Sequence, residues 1–149
     1  MINDNLKLSG QLNIVLRDKN GNVKEERTEK NLVVTTGLNY IASRMKDASA
    51  TVMSHMALGS GTTDPAAAQT NLITTLGSRE ALDSTTVTAN AIAYVASFEA
   101  GDATGSVTEA GIFNHATTGT MLCRVKFAVV TKAADDTMTV TWTITVSAT

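Results

Sequence analysis

Few side chains in this sequence could do chemistry, and they are scattered. There are two histidines, His55 in "MSHMALG" and His115 in "FNHATTG", and one cysteine, Cys123. A metal site needs several ligands at fixed spacing, and no carboxylate cluster accompanies either histidine at such spacing. A hydrolytic triad needs a nucleophile on a strained turn beside a histidine and an oxyanion hole. Ser60 lies between Gly59 and Gly61, but the G-x-S-x-G pattern is missing. "GSGTTD" also lacks the lysine and the spacing of a phosphate-binding loop. "DKNGN", Asp18 to Asn22, has no bidentate carboxylate at the position a calcium loop requires, and reads as a hairpin turn. "ADD", Ala134 to Asp136, reads as a solvated turn, with Asp135 and Asp136 as acidic tips that could meet a cation across a subunit seam. His55 and His115 read as structural or surface residues. The expectation is a protein without enzyme activity, cofactor or metal.

The elements that would position these residues read mainly as strands. From Met138 to Val146 every second residue is apolar, and Thr139, Thr141, Thr143 and Thr145 stand between. Period two is the signature of a half-buried strand, because successive side chains point to opposite faces. Leu12, Ile14 and Leu16 alternate in the same way, and Asn20-Gly21 after them is a strong hairpin signal. "VKEERTEK" predicts a charged edge strand, and "NLVVTT" a further strand or an extended link. "TGLNYIASRMKD" is the best helix, with Leu38, Ile41, Ala42 and Met45 on one stripe and Thr36 as its cap. "VMSHMALGSG" reads as a strand and a break, and "GSGTTDPAAAQTNL" as a long loop with a short helical turn at Asp64-Pro65. Two strands follow, the second with Ile92, Tyr94, Ala96 and Phe98 on one face. A hairpin with its loop at Asn114–Gly119 then leads through a turn into the last strand.

Eight or nine strands, one helix and regular turns predict an antiparallel β-sandwich or jelly roll of about eight strands, a single domain over residues 1–149. No βαβ alternation argues for a parallel sheet. At 149 residues the chain can build a core without staples, and one cysteine allows no internal disulfide. Cys123 lies in the apolar run "MLCRVKFAVV" and reads as a buried, inert thiol.

Twelve basic and fourteen acidic residues give a net charge of −2 with no basic block, which argues against nucleic acid as a partner. "MINDNLKLSG" lacks the basic and apolar regions of a secretory signal, and no apolar run is long enough to span a membrane. Synthesis in a reducing cytoplasm is expected. Charged residues are 17% of the chain, below the usual quarter, while threonine fills 24 positions. Such a surface meets other protein at small desolvation cost. It also suits any exposed strand.

Four blocks carry a resemblance: "NLVVTTGLNYIASRM", "MALGSGTTDPAAAQTNL", "TEAGIFN" and "GTMLCRVKFAVVTKAADDTMTVTWTITVS". In this order, from about Asn31 to Ser147, they resemble a group of small virion proteins of tailed bacteriophages. The resemblance implies a non-enzymatic structural protein of the virion. The first expectation is a capsid decoration, or cement, protein, a homo-oligomer on the capsid surface whose partner is the major capsid protein. The alternative is a tail-associated or fibre-attachment protein with tail proteins as partners. A carbohydrate-binding module is a further alternative, although sugar sites want exposed aromatics and this chain has six aromatics, most of them in strands. Two contact regions are expected. One is an N-terminal arm over residues 1–8, apolar at Ile2, Leu6 and Leu8. The other is the loop tip Thr62, Thr63, Asp64 and Pro65. No membrane and no nucleic-acid partner is expected.

Overall fold

The computed structural model describes residues 5–46 and 49–148. In chain order they form β1 (Leu6–Arg17), β2 (Val23–Lys30), β3 (Leu32–Val33), α1 (Thr35–Arg44), β4 (His55–Gly59), β5 (Glu80–Ala81), β6 (Ser84–Thr88), β7 (Ala91–Phe98), β8 (Gly105–Phe113), β9 (Met121–Lys132) and β10 (Thr137–Ala148). The strands make two five-stranded antiparallel sheets, in the orders β2-β1-β10-β7-β6 and β3-β9-β8-β4-β5. The fold is a β-sandwich, as the period-two pattern predicts. Among the described residues no helix is long and apolar enough to cross a membrane.

The even-numbered residues of β10 face inward. Met138, Val140, Trp142 and Ile144 lie opposite Leu16, Ile14, Leu12 and Gly10 of β1, and opposite Phe98, Ala96, Tyr94 and Ile92 of β7. This inner row packs against Met56 and Leu58 of β4, Ala110 and Ile112 of β8, and Cys123, Val125 and Phe127 of β9. Cys123 is fully buried, and desolvation pushes its thiol well above the usual cysteine value.

The β1–β2 turn forms where Asn20-Gly21 predicts it. Gly21 takes a φ of 82°, a left-handed conformation that favours glycine. The Asp18 carboxylate accepts from the backbone N–H of Asn20 at 2.9 Å and of Asn22 at 3.0 Å. Asp18 is thus a turn residue, held below the usual carboxylate value mainly by the Asn22 N–H.

Three local expectations are corrected. Thr36 does not cap α1: the N-cap is Val34, without a side-chain bond, and the Thr36 hydroxyl donates to the Met121 carbonyl at 3.0 Å. Of the stripe of α1 only Ile41 packs on the core, beside Tyr40 and the buried Gly37, while Leu38, Ala42 and Met45 are exposed. The helix start lies directly on the Leu122 backbone, an approach that any Cβ at Gly37 would block. Asp64-Pro65 starts no helix; a single turn closes from Ala66 to Gln69 at 3.1 Å.

The acidic tips at the β9–β10 turn also differ from expectation. Asp135 is exposed, but Asp136 is buried and accepts from Lys24 Nζ at 2.7 Å and from the Ala133 N–H at 2.8 Å. The start of β2 folds back over the turn and brings Lys24 onto it. Those two donors, Lys24 first, hold the Asp136 carboxyl below 3.8. A carboxylate with a depressed value contributes stability above its ordinary value and loses it as pH falls through the depressed one. An NMR titration of Asp136 is therefore expected to show a midpoint below 3.8, and Lys24→Ala to move it back up. A midpoint unmoved by Lys24→Ala would remove the pair from the account of acid stability.

Candidate functional site

Alternation fails on three neighbouring strands, of which β4 is buried throughout from Met56 to Gly59. Glu109–Phe113 of β8 and Met121–Val125 of β9 are buried at every position. A strand buried on consecutive residues is covered on both faces. The inner face is covered by the sandwich core. The outer face carries Ala57, Glu109, Gly111, Phe113, Met121 and Arg124, and the segment between β4 and β5, residues 60–79, folds back over it. Val34, Ala57, Leu72, Phe113 and Met121 form a second, smaller apolar cluster beneath this cover.

A buried ion pair anchors the loop. Glu109 and Arg124 are both fully buried, and Arg124 Nε donates to Glu109 Oε2 at 2.8 Å. Glu109 Oε1 also accepts from the Gly61 N–H at 2.9 Å and the Thr74 N–H at 2.8 Å, and Oε2 from the Ile73 N–H at 3.0 Å. Arg124 donates onward to Gln69 Oε1 at 3.0 Å and to the Thr63 carbonyl at 2.9 Å. One carboxylate thus gathers three loop amides, and one guanidinium holds two loop oxygens. The loop has little regular structure to satisfy its polar backbone, so buried charges do it. Gly61 belongs to this arrangement because a Cβ there would collide with the Glu109 carboxylate and Ile73.

Two further cations hold the margins. Lys126 Nζ donates to Asp64 Oδ1 at 2.6 Å, and this bond is the main reason the Asp64 carboxyl sits below its usual value. Arg79 stacks on the Phe113 ring, 3.5 Å from its centroid, and donates to the His115 and Thr118 carbonyls at 2.8 and 2.6 Å. His115 itself is exposed, and its Nδ1 accepts from the backbone N–H groups of Thr117 and Thr118. His55 is half-buried with Nδ1 2.8 Å from Ser54 Oγ, and burial lowers its value. Among the described residues no group of three His, Cys, Asp or Glu could hold a metal ion.

The two expected contact regions lie on different sheets. Thr62, Thr63 and Asp64 are exposed and Pro65 half-buried, at the tip of the clamped loop over the β3-β9-β8-β4-β5 sheet. Leu6 and Leu8 are not part of a detached arm. They begin β1 in the other sheet, opposite Ala148 and Val146. The first apolar-polar alternation of the chain extends back to them, which lengthens the strand. Ile2 lies outside the described residues.

The opposite broad face of the molecule has a different character. On the outer side of the β2-β1-β10-β7-β6 sheet, Thr139, Thr141, Thr143 and Thr145 form the central row. They stand between Val15, Asn13, Gln11 and Ser9 of β1 and Ser97, Val95, Ala93 and Ala91 of β7. No charged residue occurs in these three rows. Charged side chains stand around this centre: Lys7 and Arg17 continue the β1 row at its two ends, and on β2 Glu26 lies opposite Val15 and Lys30 opposite Gln11.

Sequence reasoning missed Glu109 and Arg124 as an anchoring pair, although both lie inside the blocks "TEAGIFN" and "GTMLCRVKF". The available signal was a charge embedded in each of two apolar stretches. No protein-family model, curated protein or solved structure matches the chain.

Proposed function

We propose that this protein is a non-enzymatic structural component of a bacteriophage virion, a decoration protein that sits on the outer capsid surface and strengthens contacts between capsomers. The observation that carries the reading is the uncharged centre of the outer face, built on Thr139, Thr141, Thr143 and Thr145. Interface cores are depleted of charge, and a face of hydroxyls, amides and small apolar groups gives up water at little cost. The ordered sequence blocks support the same reading. Gly61, Glu109 and Arg124 come from three of those blocks and meet in one hydrogen-bonded arrangement. Repetition over a lattice would let weak individual contacts hold.

Purified protein is expected to add to capsids that lack it and to raise their resistance to heat. Thr141→Lys, at the centre of the face, is expected to leave the melting temperature nearly unchanged and to abolish this addition, because the docked face would bury an unpaired ammonium. Unimpaired addition of Thr141→Lys overturns the assignment of the face. Copy number tests the location: on the order of hundreds per particle fits lattice-wide avidity, whereas a handful places the protein in the tail.

A further inference from the structure

We propose that β1 carries a strand-addition site between Leu6 and Gly10 for an extended segment of another polypeptide, one that alternates apolar and acidic residues. The inference rests on the geometry of this strand edge and holds whether or not the protein belongs to a virion.

β10 pairs with β1 along its whole length, from Leu6 to Arg17, whereas β2 pairs only from Gln11 to Arg17. The chain leaves the sheet at Asn31, whose N–H donates to the Gly10 carbonyl at 3.2 Å, and crosses to β3 in the other sheet. That bond identifies which residues of β1 point their peptide groups toward the β2 side. Backbone direction alternates along a strand, so Leu8 and Leu6, two and four residues earlier, present N–H and C=O to the same side. No described strand takes them up. The paired part of the edge is covered by β2; among the described residues this part is covered by no strand and carries the single charge of Lys7.

The two sides of the gap differ in chemistry. Outward lies an open cleft of about 570 Å³ with Lys7, Ser9, Gln11 and Lys30 on its walls. Inward lies a cleft of about 690 Å³ whose walls are mainly Leu6, Leu8, Leu32 and Leu38, with Asn5 and Lys7 also lining it. Leu6 is 73% exposed, Leu32 37% and Leu38 47%. Asn31 borders both clefts. Its Oδ1 accepts from the Trp142 indole at 2.9 Å, but its buried Nδ2 has no partner. A buried donor without an acceptor is costly, so this junction between the two sheets is a weak point of the edge.

An added strand reads both walls at once: apolar residues turn inward to the leucines, and acidic residues turn outward to Lys7 and Lys30. A second copy pairing edge to edge would bring its own lysines against this row, like charge against like.

The probe is a labelled eight-residue peptide alternating valine and aspartate, followed by fluorescence anisotropy and by amide hydrogen exchange of the protein. Saturable binding is expected, with slowed exchange at the Leu6 and Leu8 amides. A valine–lysine peptide should bind about tenfold more weakly or worse, and a proline at the centre of the acidic peptide should abolish binding by blocking the ladder. Lys7 and Lys30 are exposed, so Lys7→Glu/Lys30→Glu should fold normally and reverse the charge preference. Absence of saturable binding, equal binding of the two peptides, or protection along another edge overturns the proposal. Protection of Leu6 and Leu8 by protein concentration alone, with no peptide present, assigns the edge to a second copy and overturns it equally.

Discussion

Glu109→Ala is expected to destabilise the protein by about 3–5 kcal/mol, the usual cost of stripping one partner from a buried ion pair. Arg124 would remain fully buried with its charge uncompensated, and the Gly61, Ile73 and Thr74 amides would lose their shared acceptor. Chemical denaturation measures the loss, and hydrogen exchange at those three amides locates it. Two effects contribute and can be separated. The double variant Glu109→Leu/Arg124→Met removes both charges from the interior, so it should recover part of the stability. It should not restore slow exchange at Gly61, Ile73 and Thr74, because neither replacement accepts a hydrogen bond. A loss in Glu109→Ala below about 1 kcal/mol, the range of exposed pairs, would mean that the loop is held by Leu72 and Arg79 instead.

The second large effect is expected at Trp142. It is fully buried at the centre of β10, opposite Leu12 on one side and Tyr94 on the other. Trp142→Ala should cost about 3–5 kcal/mol through lost burial and the cavity left behind. It also removes the indole that donates to Asn31 Oδ1, so the Asn31 side chain would have neither its acceptor nor its donor atom paired. Trp142→Phe weights these terms differently: it loses the hydrogen bond outright but keeps most of the packing. The expected order of stability is wild type, then Trp142→Phe, then Trp142→Ala, read from denaturation midpoints at constant slope. Equal stability of the two variants would mean that the bond to Asn31, and not the volume, dominates.

These two sites differ in how far they could be read beforehand. Trp142 occupies an inward position of a strand whose alternation is unbroken from Met138 to Ile144, so its burial follows from spacing alone. Glu109 is a single acid ahead of the apolar stretch from Ala110 to Phe113, a signal that it is unusual, but nothing local identifies Arg124 and the three distant amides it holds. The loop tip Thr62–Pro65 was legible as an exposed turn-rich segment, but not as one fastened from beneath. Leu6 and Leu8 illustrate the opposite error: apolar residues near the chain start read as an arm, while their pairing with Val146 and Ala148 depends on a strand almost the whole chain away.

By itself the sequence determined which residues could share a face, where the Asn20-Gly21 and Asn114–Gly119 hairpins turn, and that the fold is built from antiparallel strands. Each follows from interactions among near neighbours: the two-residue repeat of an extended backbone, and the freedom of glycine at a positive φ. Only the tertiary structure decided that β10 lies between β1 and β7, that Asp136 is buried under Lys24, that residues 60–79 return over β8 and β9, and that β1 outruns β2 to leave an edge open. Those outcomes depend on which distant surfaces exclude water together, and a pattern confined to successive residues holds no record of that.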